Sequence, residues 1–238
     1  MRALLLAAGM GSRISRYING KPKCMVDIGN GTPLIRHTVR TLKAKGINEI
    51  AICTGYKHEV LEKELKNEGI ALFRNPFYSI TNSIASAWFA RDFLKPDDDY
   101  LIMNADVFCE DKIFDLLLSL DKLPVMLADS SRKECADYKF YFENGRLLKF
   151  GKELVGDDIS GEYVGIAKLS GSFIPEFIKS VDVEIEKQHH GVWWENAIYD
   201  EVEKMFISVE DIKGLFWAEV DYIEDYERIK EYVKGNNI

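Results

Sequence analysis

Hydrophobic and polar positions along this chain fall into alternating strand and helix rhythms. Residues 3–8 (ALLLAA) form a continuous apolar run, short enough for a strand buried on both faces of a parallel sheet. Over 33–46, Leu34, Ile35, Thr38, Val39 and Leu42 recur at helical spacing, and Gly46 ends the pattern. A second strand is predicted over 47–54, a charged, solvent-facing helix over 59–68, and a third short strand over 70–73. This βαβαβ opening predicts a parallel sheet with helices on both faces. A helix capped at Asn82 or Ser83 is expected to run to about Leu94, followed by a fourth strand over 99–103 and a helix over 111–120 with Asp111 as its cap. A fifth strand spans 124–129. The segment 138–150 reads as a hairpin turning at Asn144-Gly145, and 161–169 (GEYVGIAKL) as a further strand. A helix over 172–185 breaks at His189-His190-Gly191, and another starts over 195–204. A strand over 215–221 precedes an amphipathic helix over 222–233. No linker, repeat or low-complexity segment interrupts the chain, so residues 1–238 are expected to form one α/β domain.

Composition narrows the classes. Apolar content of 47% and charged content of 29% are ordinary for a soluble enzyme. The net charge of −8 argues against wrapping nucleic acid, although a local basic cluster can still hold one nucleotide. Cys24, Cys53, Cys109 and Cys135 are widely spaced without a C-x-x-C pair, and read as reduced thiols of a cytoplasmic protein. The N-terminal apolar run is too short for a membrane span, and its glycines do not make a signal-peptide cleavage site.

Candidate chemistry begins where the first strand ends, at Gly9-Met10-Gly11-Ser12-Arg13. Two glycines two apart permit a tight turn and let backbone N–H groups approach an anion. Arg13, and Lys23 after Pro22, add positive charge. Taken alone, this is either a polyphosphate cradle or an ordinary strand-to-helix turn. A dinucleotide fingerprint is disfavoured because Ile14 stands where its third glycine or alanine belongs, and no G-K-[ST] of a Walker loop follows. Asp106 follows the fourth strand, where open α/β sheets bind ligands, and reads as a Mg²⁺ ligand or a helix cap. In Trp193-Trp194-Glu195-Asn196, aromatic faces and a carboxylate suit a substituted ammonium ion. The same residues also suit core packing and a helix start. His189 and His190 have no third ligand spaced nearby and read as loop.

Residues 6–23, LAAGMGSRISRYINGKPK, resemble the signature of the nucleotidyltransferases that make sugar nucleotides and CDP-alcohols: L-A-A-G-x-G-x-R, about eight variable residues, then P-K. The resemblance implies a Rossmann-like, mainly parallel sheet with helices on both faces and a small β-rich insertion, about 135–200, for the second substrate. It implies that Gly9, Gly11 and Arg13 hold the nucleotide's base and phosphates within a set comprising Leu6, Ala7, Ala8, Met10 and Ser12. Lys23 then steadies the phosphates in the transition state. Further on, Asn75, Tyr78, Asn82 and Ser86 in N-x-x-Y-x-x-x-N-x-x-x-S are similar to the bacterial choline-phosphate cytidylyltransferases. Asn82, Ser83 and Ser86 would there face the base, with the helix cap as the structural alternative. In family terms Glu162 and Tyr163 line the acceptor pocket, unless plain strand alternation accounts for them. Trp193, Trp194, Glu195 and Asn196 resemble the aromatic–acid–Asn cluster of the same enzymes. The E-x-D before the last helix, Glu219 and Asp221, matches the motif that supplies the second metal carboxylate.

The expected reaction joins CTP to a small phosphorylated amino-alcohol, giving a CDP-alcohol and pyrophosphate, with Mg²⁺ on Asp106 and Asp221. The resemblance also points to cell-surface polysaccharide biosynthesis. A UDP-, dTDP- or GDP-sugar pyrophosphorylase and a non-catalytic nucleotide-binding domain remain as alternatives. Lys23, Asp106 and Asp221 together argue against binding alone.

Overall fold

A computed structural model describes residues 1–134 and 136–238; the reading of Cys135 lies outside the described residues. The apolar opening run forms β1 (Arg2–Ala7), and α1 (Leu34–Ala44) follows a long loop. Then come β2 (Ile50–Thr54), α2 (His58–Leu65), β3 (Ala71–Arg74), α3 (Ser83–Phe89) and β4 (Tyr100–Asn104). Next are β5 (Val107–Cys109), α4 (Asp111–Ser119), β6 (Val125–Asp129), β7 (Lys139–Glu143) and β8 (Arg146–Gly151). The chain ends with β9 (Gly161–Leu169), α5 (Ile174–Glu186), α6 (Asn196–Tyr199), β10 (Ser208–Asp211), β11 (Trp217–Glu219) and α7 (Ile223–Asn236).

Nine strands build one sheet in the order β3-β2-β1-β4-β9-β6-β10-β8-β7. The half made of β3, β2, β1 and β4 is parallel, as the βαβαβ pattern requires. β9 runs antiparallel to both β4 and β6, so the sheet as a whole is mixed. The β7–β8 hairpin turns at Asn144 (φ 50°) and Gly145 (φ 72°), the two positive φ values a tight two-residue turn demands. Its strands pair with β9 and β10, so the hairpin continues the same sheet.

Strand alternation divides the core. Leu4, Leu6, Tyr100 and Ile102 face one side and pack under α3 and α5 with Ile84, Phe177 and Trp194. Ala3, Leu5, Ala7, Leu101 and Met103 face the other side and meet Ile35, Val39 and Leu42 of α1 and Phe114 and Leu117 of α4. Leu4 and Leu5 are fully buried, and truncating either to Ala costs about 2–5 kcal/mol. A third apolar cluster joins the two ends of the chain: Ile14, Ile18 and Val26 of the loop after β1 pack on Phe108, Val220, Ile229 and Val233.

Several local expectations shift. β2 starts at Ile50 rather than residue 47, and α3 stops at Phe89, with a 3₁₀ turn over Arg91–Phe93 finishing the run. Asp111 is not the cap of α4: Glu110 occupies that position without a side-chain bond, and Asp111 lies in the first turn. The helix expected over 195–204 is a single turn, α6, followed by further turns. β5 and β10 had no counterpart in the sequence reading. Among the described residues, no helix is long and apolar enough to cross a membrane.

Candidate active site

A cleft of about 680 Å³ opens at the C-terminal ends of β1 and β4, where a parallel sheet presents its ligand-binding edge. Leu6 and Ala8 border it, and so do Gly9, Gly11, Ser12 and Arg13. Ala7 does not, because strand parity turns it into the opposite core. Met10, between two glycines that border the cleft, is exposed and is not itself part of the lining. Among the described residues, no atom beyond its chain neighbours lies within 4 Å of where a Cβ on Gly9 would sit, so packing does not demand glycine there; close approach of a ligand to the backbone would. Gly11 differs. Its φ is 61°, and an added Cβ would stand 2.5 Å from Lys23 Cγ, so the lysine stem lies across the turn. Lys23 is held by a 3₁₀ turn whose other residues, Cys24 and Met25, are buried.

Opposite the glycine turn, Asp106, Glu219 and Asp221 offer carboxylate oxygens that all lie within 4.8 Å of one another. The ribbon of β5 and β11 explains the convergence. Val107 pairs with Glu219 in an antiparallel register, and the Val220 amide donates to the Asp106 carbonyl at 3.0 Å. Lys23 Nζ lies 3.2 Å from Asp106 and donates to Asp221. Arg13 Nη1 donates to Asp221 at 2.9 Å, and its guanidinium lies over the Tyr222 ring. Burial alone would lower the Lys23 pKa, but Asp106 and Asp221 outweigh it and hold it well above its ordinary value. Burial together with Asp106 and Asp221 raises Glu219 well above the usual carboxylate range. Three hard oxygen donors at this spacing, already attracting an ammonium, fit a divalent cation.

One wall comes from the start of α3. Asn82 is the N-cap, its Oδ1 accepting from the Ser83 amide at 2.8 Å, and it also borders the cleft. Ser83 Oγ accepts from the Trp194 amide at 3.0 Å. Ser86 is buried and accepts from Asn75 Nδ2 at 3.1 Å, while Asn75 also donates to Thr81 at 3.0 Å. Asn75, Tyr78, Asn82, Ser83 and Ser86 thus share one cleft wall.

The far end is aromatic and acidic. Trp193 is 41% exposed and meets Tyr138 edge-on at 5.6 Å, while Lys152 Nζ already lies 5.6 Å from its ring centre. Trp194, expected beside it, is fully buried in the core; its indole N–H donates to Asn104 Oδ1 at 3.0 Å, and it does not border the cleft. Asn196 is also turned away, its Oδ1 accepting from the Trp193 amide at 3.0 Å and bracing the turn. Glu195 and Tyr163 border the cleft at its floor, Glu195 only 4% exposed. Burial pushes the Glu195 carboxyl up to about 8 and Asp106 adds to it, while its own backbone, Tyr163 and Asn104 oppose the rise. Even so, among the described residues neither Glu195 Oε2 nor the Tyr163 hydroxyl finds an aligned hydrogen-bond partner. Glu162 is engaged as a brace, accepting from Arg132 Nε at 2.5 Å and the Asp137 amide at 2.8 Å. Tyr138, Lys152, Tyr199 and Arg228 also reach the cleft and were not singled out in the sequence. The Asn144-Gly145 turn signal was the one pointer to Tyr138 and Lys152, which flank that hairpin.

A glycine cradle at a strand end, facing a carboxylate cluster across one α/β sheet, is the architecture of a nucleotidyltransferase. Residues 3–159 match the model of the MobA-like NTP transferase domain, and the chain belongs to that family. It is 30% identical to CTP:phosphoglutamine cytidylyltransferase of Campylobacter jejuni, over 95% of this chain and 98% of that protein. It is 25% identical to choline-phosphate cytidylyltransferase of Streptococcus pneumoniae over the full length of both. The solved structure of CTP:phosphocholine cytidylyltransferase from Streptococcus pneumoniae shares the fold, with a TM-score of 0.79 at 21% identity over 98% of each chain.

Proposed function

We propose that this chain is a cytidylyltransferase joining CTP to a small phosphorylated amino-alcohol of the phosphocholine type, giving a CDP-alcohol and pyrophosphate. The observation that carries the reading is the polarity of one cleft. The glycine turn, Lys23 and three carboxylates stand at one end; Trp193, Tyr138 and the Glu195 carboxyl stand at the other. Relatives named CTP:phosphoglutamine cytidylyltransferase and choline-phosphate cytidylyltransferase support the choice of nucleotide. Free, buried Cys24, Cys53 and Cys109 accord with a cytoplasmic site of action.

In this reading the acceptor's phosphate oxygen attacks the α-phosphorus in line, and the bond from that phosphorus to the bridging oxygen of pyrophosphate breaks with its electron pair leaving on pyrophosphate. The attacking oxygen is already anionic near neutral pH, so no general base is needed. The protein's work is positioning and charge stabilisation. The Gly9–Arg13 backbone cradles the triphosphate, and Lys23, drawn from the carboxylates, follows the charge developing on the phosphates. Mg²⁺ held by Asp106 and Asp221, with Glu219 beside them, would neutralise triphosphate charge. Asn82, Ser83 and Ser86 flank the base. Residues of about 135–200, inside a single domain of 1–238, form the acceptor side, where Tyr163, Trp193 and Glu195 face the cationic end and Glu162 braces the wall.

Pyrophosphate release, measured for CTP, UTP, dTTP and GTP against phosphorylated amines and sugar 1-phosphates, tests this. CTP with a phosphorylated amine should turn over fastest. Equal or better turnover by another nucleotide with a sugar 1-phosphate would overturn the cytidylyl assignment.

A further inference from the structure

The acceptor end contains a hydrogen-bonding demand that an aromatic cage does not explain. Among the described residues, Glu195 Oε2 and the Tyr163 hydroxyl are buried, border the cleft and lack aligned partners, and each such orphan disfavours this arrangement until a partner arrives. The aromatic provision for a quaternary ammonium is thinner than the sequence suggests. Trp194 belongs to the core, and Trp193 is already approached by Lys152, which also pairs with Asp137 at 2.7 Å. A trimethylammonium carries charge but no N–H, so it adds no hydrogen-bond donor to Glu195 Oε2.

We infer that Glu195 and Tyr163 select an acceptor whose far end is an ammonium bearing at least one N–H, in preference to a quaternary ammonium. This rests on the reading of the chain as a transferase for phosphorylated amines and adds the specificity-determining residues to it. An N–H ammonium supplies the missing donor to Oε2 and, in the same step, the positive charge that lets this buried carboxyl give up its proton. Burial keeps that proton on the carboxyl up to about pH 8 when no cation is present. The Tyr163 hydroxyl is free to turn toward the ionised carboxylate as a second donor.

The test is a methylation series on the wild-type enzyme with CTP: phosphoethanolamine, its N-methyl and N,N-dimethyl forms, and phosphocholine. Loss of the last N–H should lower kcat/KM at least about 10-fold between the dimethyl and trimethyl acceptors, chiefly through the acceptor KM. Simple crowding by added methyls would instead give an even decline across the series. Glu195→Gln should shrink the last step below about 3-fold while leaving the KM for CTP within about 2-fold of wild type. Tyr163→Phe should weaken the N–H acceptors more than phosphocholine. Turnover of phosphocholine equal to or better than the dimethyl acceptor overturns the inference and spares the cytidylyltransferase reading. A full last step in folded Glu195→Gln does the same. No pyrophosphate release from CTP with any member overturns both.

Discussion

Replacing Lys23 with Met separates two jobs that this lysine does. Methionine keeps most of the aliphatic stem that lies across Gly11, so the turn should persist while the ammonium is lost. In the structure that ammonium stands 3.2 Å from Asp106 and bonds Asp221. At an effective dielectric of about 20, a unit pair at that distance attracts by roughly 5 kcal/mol before desolvation is subtracted. Without it, three carboxylates with oxygens inside 4.8 Å repel by at least about 3 kcal/mol per ionised pair. The cluster then gains more from a divalent cation than the wild-type cluster does. Lys23→Met should therefore bind Mn²⁺ at least about 10-fold more tightly in the absence of nucleotide, read by calorimetry or water-proton relaxation. The same change removes a preorganised charge worth roughly 3 kcal/mol at the developing anion, so kcat should fall about 100-fold or more, with CTP binding weakened less. Unchanged kcat in folded Lys23→Met would remove the lysine from the mechanism. Unchanged or weaker Mn²⁺ binding would refute the competition between lysine and metal.

The adjacent tryptophans should behave oppositely. Trp194→Ala, which empties a fully buried site and leaves Asn104 Oδ1 without its donor, should cost about 3–5 kcal/mol in denaturant unfolding, whereas Trp193→Leu should cost less than about 1 kcal/mol and raise the acceptor KM; equal stability losses would show that the two side chains are not divided between core and cleft. Glu195 should give the protein a pH dependence of its own. The folded state holds this proton up to about pH 8, while the unfolded chain releases it near the ordinary 4.5, so the associated stability is complete below about 4.5, declines as pH rises, and is gone above about 8. At about 1.4 kcal/mol per pH unit the decline reaches up to about 5 kcal/mol, and Glu195→Gln should flatten it; parallel stability–pH curves for the two proteins would contradict this.

The parallel half of the fold was readable because β1 to β4 carry their own signals: short apolar runs, helical stripes and glycine stops. β5 and β10 were not, because three or four residues hold too little period to register, and their pairing comes from distant strands. The direction of β9 was equally hidden, since a fully buried strand reads the same whichever way it runs. At the site, the signature fixed which residues cluster but not which way each faces. Parity along β1 sends Leu6 toward the cleft and Ala7 away from it. One peptide unit likewise separates Trp193 at the cleft from Trp194 in the core.

The carboxylate cluster shows why local patterning finds parts of a site without assembling it. Arg13 and Asp221 are 208 residues apart and bond at 2.9 Å, although no sequence pattern links them directly. The link runs through packing. Ile14 and Ile18, just after the cradle, share one apolar cluster with Val220 beside Asp221 and with Ile229 and Val233 of α7. Phe108 joins that cluster from β5, only two residues beyond Asp106. Three segments that each contribute a charged group are therefore drawn together by the hydrophobic residues next to those groups. The charges themselves, three carboxylates against one lysine and one arginine, would not gather unaided. Burial of the neighbouring apolar side chains supplies the driving force, and the cations make the resulting carboxylate cluster tolerable.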